Sequence, residues 1–354
     1  MAGAGPGQGH TAGVPTLVPA DLPIVQAPMA GGPSTPALTA AVAGAGGYGF
    51  VAAGYRSPDD LRDLISTTRT LTGAPFGVNI FCPSVPADPG PVRAYARSLL
   101  PESDRLGVAL GEPAWDDDGY HSKVEIVASA GVDLVSFTFG CPTTDTIDRL
   151  HSAGCRVAVT VTSVGEAAVA ERAGADLLAL QGTEAGGHQG SFLDLTPNVR
   201  PLLSLLEEVR ASTAVPVLAG GGVMTGADVA VALRQGAIGV QLGTAFLCAP
   251  EAGTSATYRR ALLDRTYPDT VLTRAFSGRY ARGLANEFAV RYSRSAPEAY
   301  PEVHHLTRPL RAAATRAGDP STPNLWAGQG WRSITARPAA AIVRRIASEM
   351  GPGG

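Results

Sequence analysis

Eight short β-rich runs alternate with Ala-rich amphipathic stretches over the first 248 residues. This alternation constrains the chain more than any other feature. The runs fall near 24–27, 48–52, 76–81, 133–139, 156–161, 176–180, 215–219 and 238–242. Helical periodicity occupies 36–43, 59–68, 164–173, 199–211 and 227–235. Strands and helices in turn imply right-handed βαβ units and a parallel sheet. Eight units suggest a closed (β/α)8 TIM-type barrel, not an open sheet. After Leu247 the alternation breaks down, and residues 249–330 read as an inserted cap or lid. Residues 21–248 and 331–354 are therefore expected to form the barrel, with a helix over 337–350 as its final α element. Residues 1–20, rich in Gly, Pro and Ala, read as a flexible tail. They lack the basic and apolar regions of a signal peptide.

Composition narrows the function classes. Net charge is −3 at neutral pH, so nothing attracts nucleic acid or an anionic membrane surface. No apolar stretch approaches a transmembrane span. Cys82, Cys141, Cys155 and Cys248 show neither paired nor metal-ligand spacing. They suit a reducing cytoplasm, and no metal site is expected. The single lysine, Lys123, lies in a polar stretch, which argues against Schiff-base chemistry. Gly44-Ala45-Gly46-Gly47-Tyr48-Gly49 matches a dinucleotide fingerprint in letters only. A helix precedes it and a strand follows, the reverse of what that motif needs.

The expected strand ends carry the chemistry. After the sixth run comes Gln181-Gly182-Thr183-Glu184-Ala185-Gly186-Gly187-His188-Gln189-Gly190-Ser191. His188 thus sits in a glycine-rich loop at the end of a parallel strand, where such folds bind ligands. Histidine can move a proton near neutral pH. The seventh run ends in Gly220-Gly221-Gly222 and the eighth in Gln241-Leu242-Gly243-Thr244. Either loop alone reads as a short turn. Together, in this order, they match the common phosphate site of barrels. Asn79, inside an apolar run, and Gln181 are amides that need partners. A core backbone group or a heteroaromatic ring edge would serve. Two amides and one phosphate loop suit an isoalloxazine with a ribityl phosphate, and the absence of an adenine fingerprint favours FMN over FAD or NAD.

The chain resembles the nitronate monooxygenases, formerly 2-nitropropane dioxygenases, from about residue 20 to 335. The matching segments are Pro23 through Gly32, Gly77-Val78-Asn79-Ile80-Phe81, Ser136-Phe137-Thr138-Phe139-Gly140 and the Gln181–Ser191 loop. They continue with Ala219-Gly220-Gly221-Gly222, Gln241 through Phe246 and Leu325-Trp326-Ala327-Gly328-Gln329. The resemblance implies an FMN-containing barrel with a smaller cap. It implies cofactor contacts at Met29, Asn79, Gln181, Gly186, Gly221, Gly222, Gln241, Leu242, Gly243 and Thr244. It makes His188 the active-site histidine. Cys141 and Tyr280 depart from the family pattern and are expected to alter pocket shape.

The implied reaction is oxidation of alkyl nitronates, and of neutral nitroalkanes if His188 first removes the α-proton, by O2 to a carbonyl compound and nitrite. The base role requires a His188 pKa near the working pH. Two rivals remain: an NAD(P)H-dependent quinone or enoyl-thioester reductase on the same fold, and a non-enzymatic FMN-binding protein. His304 and His305 are expected at the surface of the cap, and Asp116-Asp117-Asp118 as a solvated face. The physiological nitro substrate and the oligomeric state, homo-oligomer included, stay open.

Overall fold

The computed structural model describes residues 18–351. His10 and most of the expected tail lie outside them. The strands are β1 (Ile24–Gln26), β2 (Phe50–Ala52), β3 (Gly77–Phe81), β4 (Leu134–Thr138), β5 (Arg156–Val161), β6 (Leu177–Gln181), β7 (Gly187–His188), β8 (Val217–Gly220), β9 (Gly239–Leu242), β10 (Thr270–Thr273) and β11 (Ala281–Leu284). Eight of them form one parallel sheet in the order β1-β9-β8-β6-β5-β4-β3-β2. A parallel bridge between Val25 and Tyr48 joins its two edges, with Gln26 N donating to Tyr48 O at 2.8 Å. The sheet is therefore a closed (β/α)8 barrel.

Alternation along each strand sorts the side chains into two populations. Val25, Tyr48, Phe50, Leu134, Ala158, Leu177 and Leu218 fill the barrel interior as one apolar cluster. Val78, Val135, Val157, Leu178, Val217 and Val240 belong to the larger core beneath the helices. Hydroxyl caps from Thr35, Ser57, Thr143, Ser163 and Thr225 start five of those helices. Ser57 with Asp60, and Thr225 with Asp228, form capping boxes. The helix expected over 199–211 runs Leu202–Ser212, because Pro201 takes the N-cap. The C-terminal helix Ala339–Glu349 buries Ile342, Val343 and Ile346 against the barrel and closes the ring of helices.

Residues after β9 build a second layer over the C-terminal mouth of the barrel. Its core joins Phe276, Phe288, Val303, Leu306 and Leu310 to Val92, Tyr95 and Leu99. The helices Pro89–Ser98 and Leu100–Leu106, which follow β3, thus pack into this layer as well as the later chain. The layer also contains a three-stranded antiparallel sheet, β10-β11-β7. Through β7 the cap grips the loop that carries His188.

Candidate active site

The C-terminal ends of the barrel strands open into a cavity of about 390 Å³ that the cap covers. This size lies within the range of small-molecule sites. Ten of the eleven site residues read from the sequence line it: Met29, Asn79, Gln181, Gly186, His188, Gly221, Gly222, Gln241, Gly243 and Thr244. Leu242 does not. It follows the inward-facing Gln241, so strand alternation turns its side chain into the outer core, where it is 1% exposed. Only its backbone serves the site, its carbonyl accepting from Ala27 N at 3.0 Å.

At one end of the cavity three glycine segments interlock. Gly221 and Gly222 have φ of +139° and +71°, which L side chains rarely adopt. A Cβ at Gly222 would stand 2.8 Å from Glu184 Cβ, and one at Gly330 would stand 2.5 Å from Gly222 O. A Cβ at Gly186 would meet Gly328 N at 2.4 Å. Gly328 N donates to Thr244 Oγ1 at 3.0 Å, which leaves the threonine proton available to the cavity. The result is a cradle of bare backbone with one hydroxyl, suited to an oxyanion such as a phosphate.

A polar tier lies beside the cradle. Asn79 Nδ2 donates to Ser136 Oγ at 2.9 Å and Thr138 Oγ1 at 3.0 Å, and Thr138 Oγ1 meets Thr160 Oγ1 at 3.1 Å. These bonds occupy the amide nitrogen. Among the described residues, no donor reaches Asn79 Oδ1, and the Gln241 amide makes no hydrogen bond. Unfilled amides beside a backbone cradle fit a ligand with a polar heteroaromatic edge and a phosphate. Gln181 is different. Its Nε2 donates to His188 O at 2.9 Å and its Oε1 accepts from Gly190 N at 2.7 Å. Its first task is to hold the His188 loop.

His188 pairs with Ala281 of β11, so the cap fixes its backbone. Its Nε2 lies 2.8 Å from Ser277 Oγ. The rings of Phe139, Tyr300 and Trp326 surround it at centroid distances of 5.7, 5.9 and 5.2 Å. Burial, with the charges of Arg279 and Arg311, lowers its pKa from 6.5 to about 3. The expectation of a value near neutral fails because residue type is outweighed by desolvation and two guanidinium charges. The ring is neutral at working pH. Nδ1 has no partner among the described residues.

Several wall residues differ from their sequence reading. His304 lines the cavity instead of the surface, stacked on Tyr55 with parallel rings whose centroids lie 4.1 Å apart. His305 turns away to Asp116, at 2.7 Å. Lys123, expected in a polar stretch, is 0% exposed, and its Nζ meets Asp118 at 2.7 Å and Ala53 O at 3.0 Å. Asp118 is correspondingly no solvated residue: its Oδ1 accepts from Tyr55 N at 2.9 Å, holding Tyr55 at φ +66°. Cys141 and Tyr280 lie outside the cavity wall, and Arg274 stacks over the Tyr280 ring at 4.0 Å. Arg311, Phe139 and Trp326 line the cavity. Among the described residues no helix is long and apolar enough to cross a membrane.

Fold and site together define a (β/α)8-barrel enzyme with a capped pocket at its strand ends. Residues 18–349 match the family described as nitronate monooxygenase, and the chain belongs to that family. It is an oxidoreductase. A probable nitronate monooxygenase of Staphylococcus aureus (strain MSSA476) is 37% identical over 345 residues, covering 93% of this chain and 94% of that one. The nitroalkane oxidase of Streptomyces ansochromogenes superposes with a TM-score of 0.92 at 47% identity, covering 94% of this chain and 96% of that one. FabK from Thermotoga maritima superposes with a TM-score of 0.75 at 29% identity, with 94% of each chain covered.

Proposed function

We propose that the chain oxidises alkyl nitronates, and neutral nitroalkanes after deprotonation, to a carbonyl compound and nitrite, with FMN as cofactor and O2 as oxidant. The observation that carries this reading is a neutral, proton-accepting His188 sharing one cavity with a glycine-and-amide cradle. The likeness to a nitroalkane oxidase at 47% identity supports it.

The flavin, when bound, supplies electron acceptance and oxygen chemistry. Backbone at Gly221 and Gly222 and the Thr244 hydroxyl would hold its phosphate. Asn79 Oδ1 and the Gln241 amide would meet the polar edges of the ring system and its chain, with Met29 backbone beside them. His188 does the proton work. With Nε2–H donated to Ser277 Oγ, Nδ1 carries the lone pair that accepts the α-proton of a nitroalkane. A ring with a pKa of about 3 is a weak base alone. The nitronate formed against it changes that. An anion about 4 Å from the ring, at an effective dielectric of about 20, stabilises the imidazolium by ~4 kcal/mol. That corresponds to roughly 3 pK units, which brings the ring back toward the ordinary histidine value for as long as the nitronate stays beside it. For a preformed nitronate no proton need move, and the imidazole acts by position.

Two measurements on the purified protein test this reading. Chromatography of the flavin released by denaturation should find one FMN per chain. Ethyl nitronate under air should release nitrite. FAD in place of FMN would defeat the cofactor assignment. Prompt anaerobic bleaching by NADPH, without nitrite release from nitronate, would make the chain a reductase.

A further inference from the structure

Arg311, on the helix Glu302–Ala317, is enclosed by the protein, and the surface it keeps faces the cavity. Its Nε donates to Thr307 Oγ1 at 3.0 Å and its Nη1 to Asn324 Oδ1 at 3.0 Å. Its Nη2 donates to His304 O at 2.9 Å and His304 Nδ1 at 3.3 Å. None of these partners is anionic. A guanidinium has five N–H donors. Four are used, and one N–H on Nη1 remains. Removing a cation from water without a counter-charge is costly, and proteins ordinarily pair it. The same pattern fixes its neighbour. Arginine can only donate, so His304 Nδ1 is an acceptor and the neutral ring carries its proton on Nε2. Among the described residues that N–H has no acceptor. Tyr55, stacked on His304, keeps its hydroxyl sealed from the cavity and beside the Tyr300 side chain. One wall of the cavity therefore presents a cation and a neutral donor, and no acid. The glycine cradle is formed by other segments, at 186, 221–222 and 328–330.

We propose that Arg311 is the anion-recognition residue of the cavity, receiving the ionised nitro group of a nitronate and selecting it over the neutral nitroalkane. The His304 N–H completes the donor set. The assignment rests on the function proposed above for its substrate, but the anion site itself is testable without turnover. Nitrate is an inert planar anion with the oxygen arrangement of a nitronate.

The experiment titrates the flavin-loaded enzyme with sodium nitrate, read by perturbation of the flavin spectrum. It then compares KM for ethyl nitronate and for neutral nitroethane in Arg311→Gln and Arg311→Lys. The Gln variant should keep its flavin. Its nitrate Kd and its KM for nitronate should rise roughly 10- to 100-fold, the effect of a lost charge-assisted hydrogen bond. Its KM for nitroethane should change far less, and Lys should recover part of the loss. Nitrate binding equal to wild type, equal rises in both KM values, or loss of flavin from a folded variant would overturn the proposal. Should neither variant fold, competition between nitrate and nitronate in wild type decides, and its absence refutes. An enzyme that binds nitrate through Arg311 but releases no nitrite from nitronate would keep the anion site and lose the proposed function.

Discussion

Gly222→Asp should empty the cofactor site while leaving the barrel folded. Three costs add. The residue sits at φ +71°, where an L side chain costs about 1 kcal/mol or more. Its Cβ would stand 2.8 Å from Glu184 Cβ. Glu184 has little room to yield, because its carboxylate accepts from Leu202 N at 3.0 Å and its carbonyl from Gln329 N at 2.9 Å. The third cost is the largest. A carboxylate about 4 Å from a bound phosphate, at an effective dielectric near 20, opposes it by ~4 kcal/mol per pair of unit charges. That alone weakens FMN by roughly 10³-fold. The assay is a flavin-fluorescence titration of the apoprotein, with circular dichroism as the check on folding. Gly222→Ala separates the terms, since it keeps the steric and backbone costs without the charge. It should bind FMN more weakly than wild type and much more tightly than the Asp variant. A folded Gly222→Asp protein with full FMN occupancy would show that the phosphate lies elsewhere and that the cradle has been misread.

The remaining predictions concern the supports of the site. Gln181→Leu removes the bonds to His188 O and Gly190 N; flavin content should persist while activity falls at least tenfold, and an unaffected kcat would show that the loop is held by the cap alone. Lys123→Met leaves Asp118 enclosed without its cation, which should cost about 3–5 kcal/mol in urea unfolding; a loss below ~1 kcal/mol would refute the pairing as a support. His188, with its folded pKa depressed to about 3, is protonated below pH ~6.5 only in the unfolded chain. Wild type should therefore lose stability relative to His188→Asn by about 1.4 kcal/mol per pH unit below that value, or ~2 kcal/mol by pH 5. Parallel stability-versus-pH curves for the two proteins would contradict the buried, neutral imidazole.

Local pattern made the barrel legible. The β-rich runs end within one residue of the strand ends, and the glycine loops after β8 and β9 lie where the cradle forms. Alternation also contained the placement of Leu242. A strand that turns Gln241 inward must turn Leu242 outward, but reading Gln241 through Thr244 as one block obscured it. The same alternation marks Ser136, Thr138 and Thr160 as an inward polar tier. The cap was less legible because its core joins segments far apart, with Val92, Tyr95 and Leu99 meeting Phe276 and Phe288. His304, Thr307 and Arg311 share a helix face at spacings of three and four residues. Which way that face looks is decided by packing over the barrel mouth. Lys123 shows the converse failure. Polar neighbours in sequence suggested exposure, yet the helix Tyr120–Ala130 turns this residue against Ala53 and Asp118. The His188 pKa is also a property of the assembled site, set by burial and by guanidiniums more than 90 positions along the chain.

The role of His188 as base is decided by nitrite release from wild type and His188→Asn, measured under air on two substrates, ethyl nitronate and neutral nitroethane. Asparagine can still donate a hydrogen bond to a nitronate but cannot act as a base near neutral pH. If His188 Nδ1 takes the α-proton, the variant should retain its flavin and lose roughly 10²–10⁴-fold on nitroethane, the usual cost of a missing general base. Its loss on preformed ethyl nitronate should be far smaller. Equal losses on the two substrates would remove the base role and leave His188 as a binding group. Unchanged turnover of both would take it out of the mechanism.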